Sequence, residues 1–124
     1  MNRVLGVLML VFVSMASPLH VGGQASPTEI ATFKKLAAQG DRGGQYALGY
    51  LYTIGSGVPT NKAEGVKWYR LAAAQGNADA QFNLGLLYAN GEGVPENDAE
   101  AAKWYRLAAA QGNADREHAA ILRS

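Results

Sequence analysis

An all-α fold, built as a short α-solenoid of antiparallel helix pairs, is predicted by three features of this 124-residue sequence. The segment KWYRLAAAQGNAD occurs twice without change, at residues 67–79 and 103–115. Gly40, Gly76 and Gly112 follow one another at intervals of 36 residues, and in this register the two intervals match at 22 of 36 positions. Each interval holds two helical patterns separated by a turn that contains Gly and Pro. Helix-pair repeats of about this length are typical of stacked solenoids.

The first helix of each unit is predicted to begin after Asp41 or Asn77 and to run to about Ile54 or Asn90. Asp and Asn side chains at an N-cap accept a backbone N–H bond of the first turn. The segments GSGVP and GEGVP then stop the helix, because Gly permits a left-handed turn and Pro cannot continue a helix.

The second helix of each unit is predicted to begin after Asn61 or Asn97. A glutamate stands three residues after each asparagine, which imitates the spacing of a capping box. An alanine-rich run follows, and Gly76 or Gly112 is expected to end the helix in a left-handed conformation.

Partial units flank the two repeats. Residues 28–39 align with a second helix, with Phe33 at the position of Tyr69. Residues 113–124 begin with NAD, as a new unit would, and then depart from the repeat. Terminal units of stacked arrays are commonly atypical. The predicted organisation is a signal peptide at 1–25 and a repeat domain at 26–124, with repeats at about 40–75 and 76–111 and a terminal capping stub at 112–124.

The N-terminus has the layout of a secretory signal peptide. Arg3 precedes the apolar run VLGVLMLVFV, and small and polar residues follow. The run is shorter than the roughly 20 apolar residues that a membrane-spanning helix needs. Cleavage is predicted after Ala25, which has Gly23 two residues before it, or after Ala16. The sequence therefore predicts an exported protein, periplasmic or extracellular, and the alternative is a buried N-terminal helix.

The charge balance and the cysteine content exclude two classes of protein. The chain has 11 basic and 10 acidic residues, and removal of residues 1–25 takes away Arg3 and leaves the two signs equal. This balance lacks the basic excess of nucleic-acid binders. Because the chain has no cysteine, it is not a lipid-anchored lipoprotein, and packing without disulfides must hold it together.

The repeat skeleton resembles the Sel1-like repeat, a relative of the tetratricopeptide repeat with a slightly longer loop. The blocks L-G-x-L-Y, G-x-G-V-P and W-Y-x-x-A-A-x-Q-G carry this resemblance, which covers about residues 28–115. It implies an α-solenoid whose concave face binds a protein or peptide partner. Bacterial members of the family are often exported, which agrees with the N-terminal pattern.

One stripe of each first helix has the spacing expected for packing against the second helix. Gly49 and Gly85 lie beside this stripe in the middle of the helices. Since a mid-helix Gly costs roughly 1 kcal/mol relative to Ala, we expect these positions to mark close helix crossings. The packing stripe consists of Leu48, Leu51 and Tyr52 in the first repeat and Leu84, Leu87 and Tyr88 in the second.

The opposite stripe is aromatic and aliphatic, whereas a solvated face should be polar. Such a stripe favours a binding groove for a protein or peptide. The alternative is that the short array curls and packs these residues among themselves. The candidate partner-binding residues are Tyr46, Tyr50, Thr53, Phe82, Leu86, Ala89, His118 and Leu122.

The aromatic pairs of the second helices, Trp68–Tyr69 and Trp104–Tyr105, resemble a stacking platform for sugars or bases. Because they recur at one helical position in both repeats, a role in the core between repeats is favoured. An acidic group near the second loop matches no calcium-loop spacing and is favoured near a helix start by the helix dipole. This group consists of Glu92, Glu96, Asp98 and Glu100.

Neither catalysis nor a cofactor is expected from the sequence. After residue 25 the chain has one histidine, His118, and it has no cysteine nucleophile, G-x-S-x-G motif or phosphate loop. The leading prediction is thus a non-catalytic protein-interaction module. The alternatives are a cell-wall hydrolase acting on peptidoglycan or a β-lactam, and a fragment of a longer repeat scaffold, with a possible homodimer through the terminal stub near Leu122.

Overall fold

A computed structural model describes the backbone of residues 23–123 and the side chains of residues 23–112. Residues 1–22, which hold most of the predicted signal peptide, lie outside the described residues. Throughout the described part the regular structure is helical, which confirms the all-α prediction. The five helices are α1 Pro27–Ala38, α2 Arg42–Ile54, α3 Lys62–Ala74, α4 Ala78–Asn90 and α5 Asp98–Arg123.

The helices pack as a short solenoid. Helices α2 and α3 form the first repeat, and α4 and α5 form the second. Helix α1 packs on α2 as a partial unit, and α3 packs on α4 to join the repeats. Helices α2 and α4 also contact each other, so that the first helices of the two repeats are neighbours.

The four predicted N-caps form. In each, a side-chain oxygen of the cap residue accepts the backbone N–H three residues later, at 2.8–3.1 Å. The complete capping box forms instead at Ser26 and Glu29 of α1, where each residue's N–H donates to the side chain of the other. The cap residues of α2, α3, α4 and α5 are Asp41, Asn61, Asn77 and Asn97.

The core consists of two apolar clusters, one for each junction between a second helix and the next first helix. Trp68 packs on the first cluster and Trp104 on the second, as the prediction of a core role for these residues required. The first cluster contains Ile30, Ala37, Leu48 and Leu51. The second contains Val66, Tyr69, Ala72, Ala73, Ala80, Leu84 and Leu87.

The mid-helix glycines mark close crossings, as predicted. A β-carbon built on Gly49 would lie 2.5 Å from Cδ1 of Tyr69, and one built on Gly85 would lie 2.7 Å from Cε1 of Tyr105. Such separations are far inside van der Waals contact, so the tyrosine ring of the second helix occupies the space of the missing side chain. The two helices of each repeat therefore approach at one fixed point.

The predicted helix end at Gly112 is wrong. Helix α3 ends just before Gly76, which has a left-handed conformation with a φ of +90°. Helix α5, in contrast, continues through Gly112 to Arg123. Where the chain reverses after Gly76, the loss of further helical hydrogen bonds is offset because α4 then packs on α3. The residues after Gly112 lack that packing stripe, so continued helical hydrogen bonding is favoured. Ala80, Leu84 and Leu87 of α4 correspond, 36 residues later, to Arg116, Ala120 and Arg123.

Substitution of Gly85 by Ala should destabilise the protein. The added methyl group overlaps the Tyr105 ring, and overpacking of this kind costs about 1–3 kcal/mol, partly offset by the better helix propensity of Ala. We expect a lower urea midpoint by circular dichroism, and unfolding for Gly85→Leu. Gly43→Ala is the matched control, because its β-carbon would meet only the Asp41 side chain at 3.2 Å. Equal midpoints for Gly85→Ala and Gly43→Ala would contradict the close crossing.

Candidate partner-binding surface

Four large apolar side chains remain exposed on the first helices. We call Tyr50, Ile54, Phe82 and Leu86 the first-helix face; they are 39–52% exposed. Tyr50 and Ile54 lie one turn apart on α2, and Phe82 and Leu86 lie one turn apart on α4. Because α2 and α4 contact each other, these side chains belong to adjacent helices of the two repeats.

The helical period explains why these residues are exposed. Leu48 and Leu51 of α2, like Leu84 and Leu87 of α4, are buried and form a different stripe of each helix from the first-helix face. Residues one turn apart share a face of a helix, so the burial of one stripe leaves the other directed away from the core. Among the residues of the first-helix face, Phe82 also contacts the Tyr105 ring of α5, with ring centroids 5.5 Å apart.

The structure distributes the other predicted site residues differently. Tyr46 is half-buried, with its ring centroid 5.7 Å from that of Tyr69. The Thr53 hydroxyl donates to the Gly49 carbonyl oxygen at 2.6 Å, and Ala89 is half-buried. These three residues lie nearer the helix packing than the first-helix face does. The predicted residues His118 and Leu122 have side chains outside the described residues.

Ile54 is the residue of this surface that the sequence pattern did not identify. It lies four residues after Tyr50, the spacing of neighbours on one face of a helix. Thr53, three residues after Tyr50, fits the same face almost equally well on a helical wheel. Thr53 contacts Gly65 of α3, and this contact, which only the packed structure reveals, leaves Ile54 as the exposed residue of the two.

A second apolar pair, Leu71 and Leu107, is exposed on the second helices. The two residues occupy the same position in the repeat, 36 residues apart. Their duplication was visible in the segment RLAAAQ, but the alanine-rich context gave no signal for which residues face solvent.

Polar side chains lie beside the first-helix face where α4 contacts α3. The Asn83 side-chain amide donates to the Tyr69 hydroxyl at 3.3 Å. Burial raises the pKa of Tyr69 to about 12. The pKa of Tyr46 is also raised, first by burial and then by the negative charge of Asp79. Both phenols therefore stay neutral at physiological pH, where they serve as hydrogen-bonding groups and not as bases.

The acidic residues of the second loop take part in local contacts. Glu92 pairs with Lys62, and the hydrogen bond and positive charge of this lysine lower the pKa of the Glu92 carboxyl. Glu100 accepts a hydrogen bond from Trp104 Nε1 at 3.2 Å and pairs with Lys103. Among the described residues, no group of three or more His, Cys, Asp or Glu side chains is arranged to hold a metal ion.

The repeat architecture has a counterpart in a known family. The model of the family described as the Sel1 repeat matches residues 43–77 and 78–113, more than half of the chain. The chain is a Sel1-repeat protein. Sel1 repeats generally mediate protein–protein interactions, and Sel1-repeat proteins are typically non-catalytic scaffolds. Across the described residues, no helix of this Sel1-repeat protein is long and apolar enough to span a membrane.

Two solved structures are similar to this Sel1-repeat protein. One is a protective antigen present in uropathogenic Escherichia coli strains and displaying an SLR fold, with 38% identity and a TM-score of 0.75. The other is a Sel1 repeat protein from Oxalobacter formigenes, with 37% identity and a TM-score of 0.70. Each similarity covers 86% of this chain but only 22% of the first protein and 40% of the second. No curated protein matches the sequence.

Alkaline pH should destabilise the protein through Tyr69. Its pKa is raised from 10.0 to about 12 in the folded state, so the unfolded chain loses this proton first as the pH rises. The contribution to stability is complete below about pH 10 and is lost as the pH rises through about 12. Urea unfolding across this range should show a steeper loss of stability for the wild type than for Tyr69→Phe. Parallel curves would contradict this assignment.

Proposed function

We propose that this Sel1-repeat protein is an exported, non-catalytic interaction module that binds a peptide or protein partner on the first-helix face. The observation that carries the proposal is the exposure of Tyr50, Ile54, Phe82 and Leu86 on neighbouring helices. Apolar burial contributes about 25 cal/mol per Å², so a partner that covers these side chains gains binding free energy from each of them.

The alternative of self-packing accounts for only part of the predicted stripe. Tyr46 does pack within the array, since its ring is half-buried against Tyr69. Phe82 also contacts Tyr105, with ring centroids 5.5 Å apart, but it keeps 49% of its surface exposed. Tyr50 and Leu86 keep 45% and 39% of their surface exposed. The remaining apolar surface is therefore available to a partner, which supports binding over internal packing.

The composition of the face indicates what kind of partner segment suits it. Aromatic and branched aliphatic side chains dominate, with the Tyr50 hydroxyl at the surface and Asn83 at the border. A segment with a row of apolar residues, such as one face of an amphipathic helix, matches such a surface. Large aromatic residues are also the residue types that most often dominate binding energy at protein interfaces.

A comparison of two double variants tests this proposal. Tyr50→Ser with Leu86→Ser removes apolar area from the first-helix face, whereas Leu71→Ser with Leu107→Ser removes similar exposed area from the second helices. We expect quantitative affinity purification from the native compartment to lose specific partners only for the Tyr50 and Leu86 variant. Both variants should keep the wild-type melting temperature, because all four residues are exposed. Equal recovery of partners by the two variants would refute the first-helix face.

Export is the second part of the proposal, and it rests on the signal-peptide pattern of the N-terminus. The contacts of Ala25 bear on the cleavage site. Its N–H donates to the hydroxyl of the buried Ser56 at 2.8 Å, and its side chain packs on the cluster of Ile30 and Leu48. Cleavage after Ala25 removes these contacts, whereas cleavage after Ala16 retains them. The contacts therefore favour the earlier site.

The exported protein should accordingly begin at Ser17. Mass spectrometry of the intact protein, purified from the extracytoplasmic fraction of a bacterium that expresses the chain, will measure this end directly. A mass that begins at Ser26 would contradict the earlier site but not export. Recovery of the uncleaved chain in the cytoplasm alone would contradict export itself.

A further inference from the structure

Two identical segments of the chain have different exposure. Residues 69–75 and 105–111 share the sequence YRLAAAQ. In the first segment Tyr69, Ala72 and Ala73 are 0–2% exposed. In the second, the residues at the positions of Tyr69 and Ala72 are half-buried and Ala109, at the position of Ala73, is exposed. The same surface is thus covered in the first repeat and open in the second.

Helix α4 is what covers the first segment. Its residues Ala80, Leu84 and Leu87 are buried in the cluster that contains Tyr69 and Ala73. Polar bonds surround this apolar contact. Asn83 donates to the Tyr69 hydroxyl, Gln81 donates to the Ala73 carbonyl oxygen, and Arg70 donates to the Tyr88 hydroxyl.

On α5, the corresponding surface consists of Tyr105, Arg106, Ala108 and Ala109, which we call the end face. Within the described residues, neither the Tyr105 hydroxyl nor the Arg106 guanidinium has a hydrogen bond like those of Tyr69 and Arg70. The surface therefore offers the apolar area and the polar groups that α4 uses on α3, without the helix that uses them.

Residues 113–124 do not have the sequence needed to cover the end face. Helix α5 continues through Gly112, so the chain does not reverse as it does at Gly76. The positions that are buried as Ala80, Leu84 and Leu87 in α4 are Arg116, Ala120 and Arg123 here. Two arginines at positions that must be buried against an apolar face carry a large desolvation cost.

We propose that the end face binds the first helix of another Sel1 repeat, presented by a separate polypeptide. The occupant is a helix with the stripe Ala-x-x-x-Leu-x-x-Leu and an Asn one residue before the first Leu, as in α4. A second copy of this chain does not supply such a helix, because α2 is packed between α1 and α3, and α4 between α3 and α5. The chain already contains one contact of this kind, since α3 binds α4 through the residues that correspond to the end face.

The test uses a synthetic peptide of residues 76–91 as the probe and the ¹⁵N-labelled full chain as the target. Amide chemical shifts detect binding into the millimolar range, so the low helicity of an isolated peptide does not hide it. We expect saturable shifts in residues 105–111, and none with a Leu84→Asp peptide. Absence of shifts at millimolar peptide would overturn the proposal.

Two variants of the chain make the test specific. Ala109→Arg places a charge on the end face, at the position of buried Ala73. Ala110→Arg is the matched control, because the corresponding Ala74 stays exposed beside α4. Both alanines are exposed, so circular dichroism should show wild-type folding. Ala109→Arg should weaken peptide binding by roughly tenfold or more, about 1.4 kcal/mol, and Ala110→Arg should leave it unchanged. Equal affinity of the two variants would overturn the proposal.

A further variant distinguishes binding at the end face from binding at the first-helix face. The double variant Tyr50→Ser, Leu86→Ser should bind the peptide with wild-type affinity, since neither residue belongs to the end face. If the peptide instead shifts the amides around Tyr50 and Leu86 and this variant abolishes binding, then the end-face proposal is wrong while the proposed function stands.

Discussion

The contact of a tyrosine ring with a mid-helix glycine is the constraint on which the arrangement of the helices depends. The Tyr69 ring occupies the space that a side chain at Gly49 would need, and Tyr105 does the same at Gly85. This contact fixes where the two helices of a repeat cross. The hydroxyl of Tyr69 also accepts a hydrogen bond from Asn83 of the next repeat. One residue therefore sets the geometry within its repeat and takes part in the junction to the following one.

Two buried glutamines, Gln45 and Gln81, link neighbouring helices through side-chain hydrogen bonds. Gln75 donates to Gln45 at 2.7 Å, and Gln111 donates to Gln81 at 2.9 Å. Gln81 in turn donates to the carbonyl oxygen of Ala73 at 3.1 Å. No buried side-chain nitrogen or oxygen in the described part lacks a partner. Because a buried amide without a partner costs about 1–3 kcal/mol, these bonds favour one relative placement of the helices among those that apolar packing alone permits.

Local chemistry and the internal repeat were sufficient to predict most of the fold. Helix starts followed from cap residues such as Asn61 and Asn77, and the close crossings followed from glycines inside helical patterns. The outcome at Gly112 was not predictable in this way. Gly76 and Gly112 lie in identical local sequences, yet only Gly76 ends a helix, because the difference lies in what the following residues pack against. Exposure was equally a tertiary property, since neighbouring helices decide the burial of Tyr46.

Because stacking and exposed positions are separate, the amino-acid sequence of the first-helix face can vary without changing the packing of the repeats. Most of the residues that hold the repeats together are the same in both copies, among them Tyr69 and Tyr105, whereas Tyr50 and Ile54 correspond to Leu86 and Asn90. Substitutions at exposed positions usually change the free energy of unfolding by less than about 0.5 kcal/mol. The first-helix face is therefore free to change with its partner at little cost to the fold. The end face, by contrast, is made of the stacking residues themselves, so its chemistry is restricted to that of another repeat.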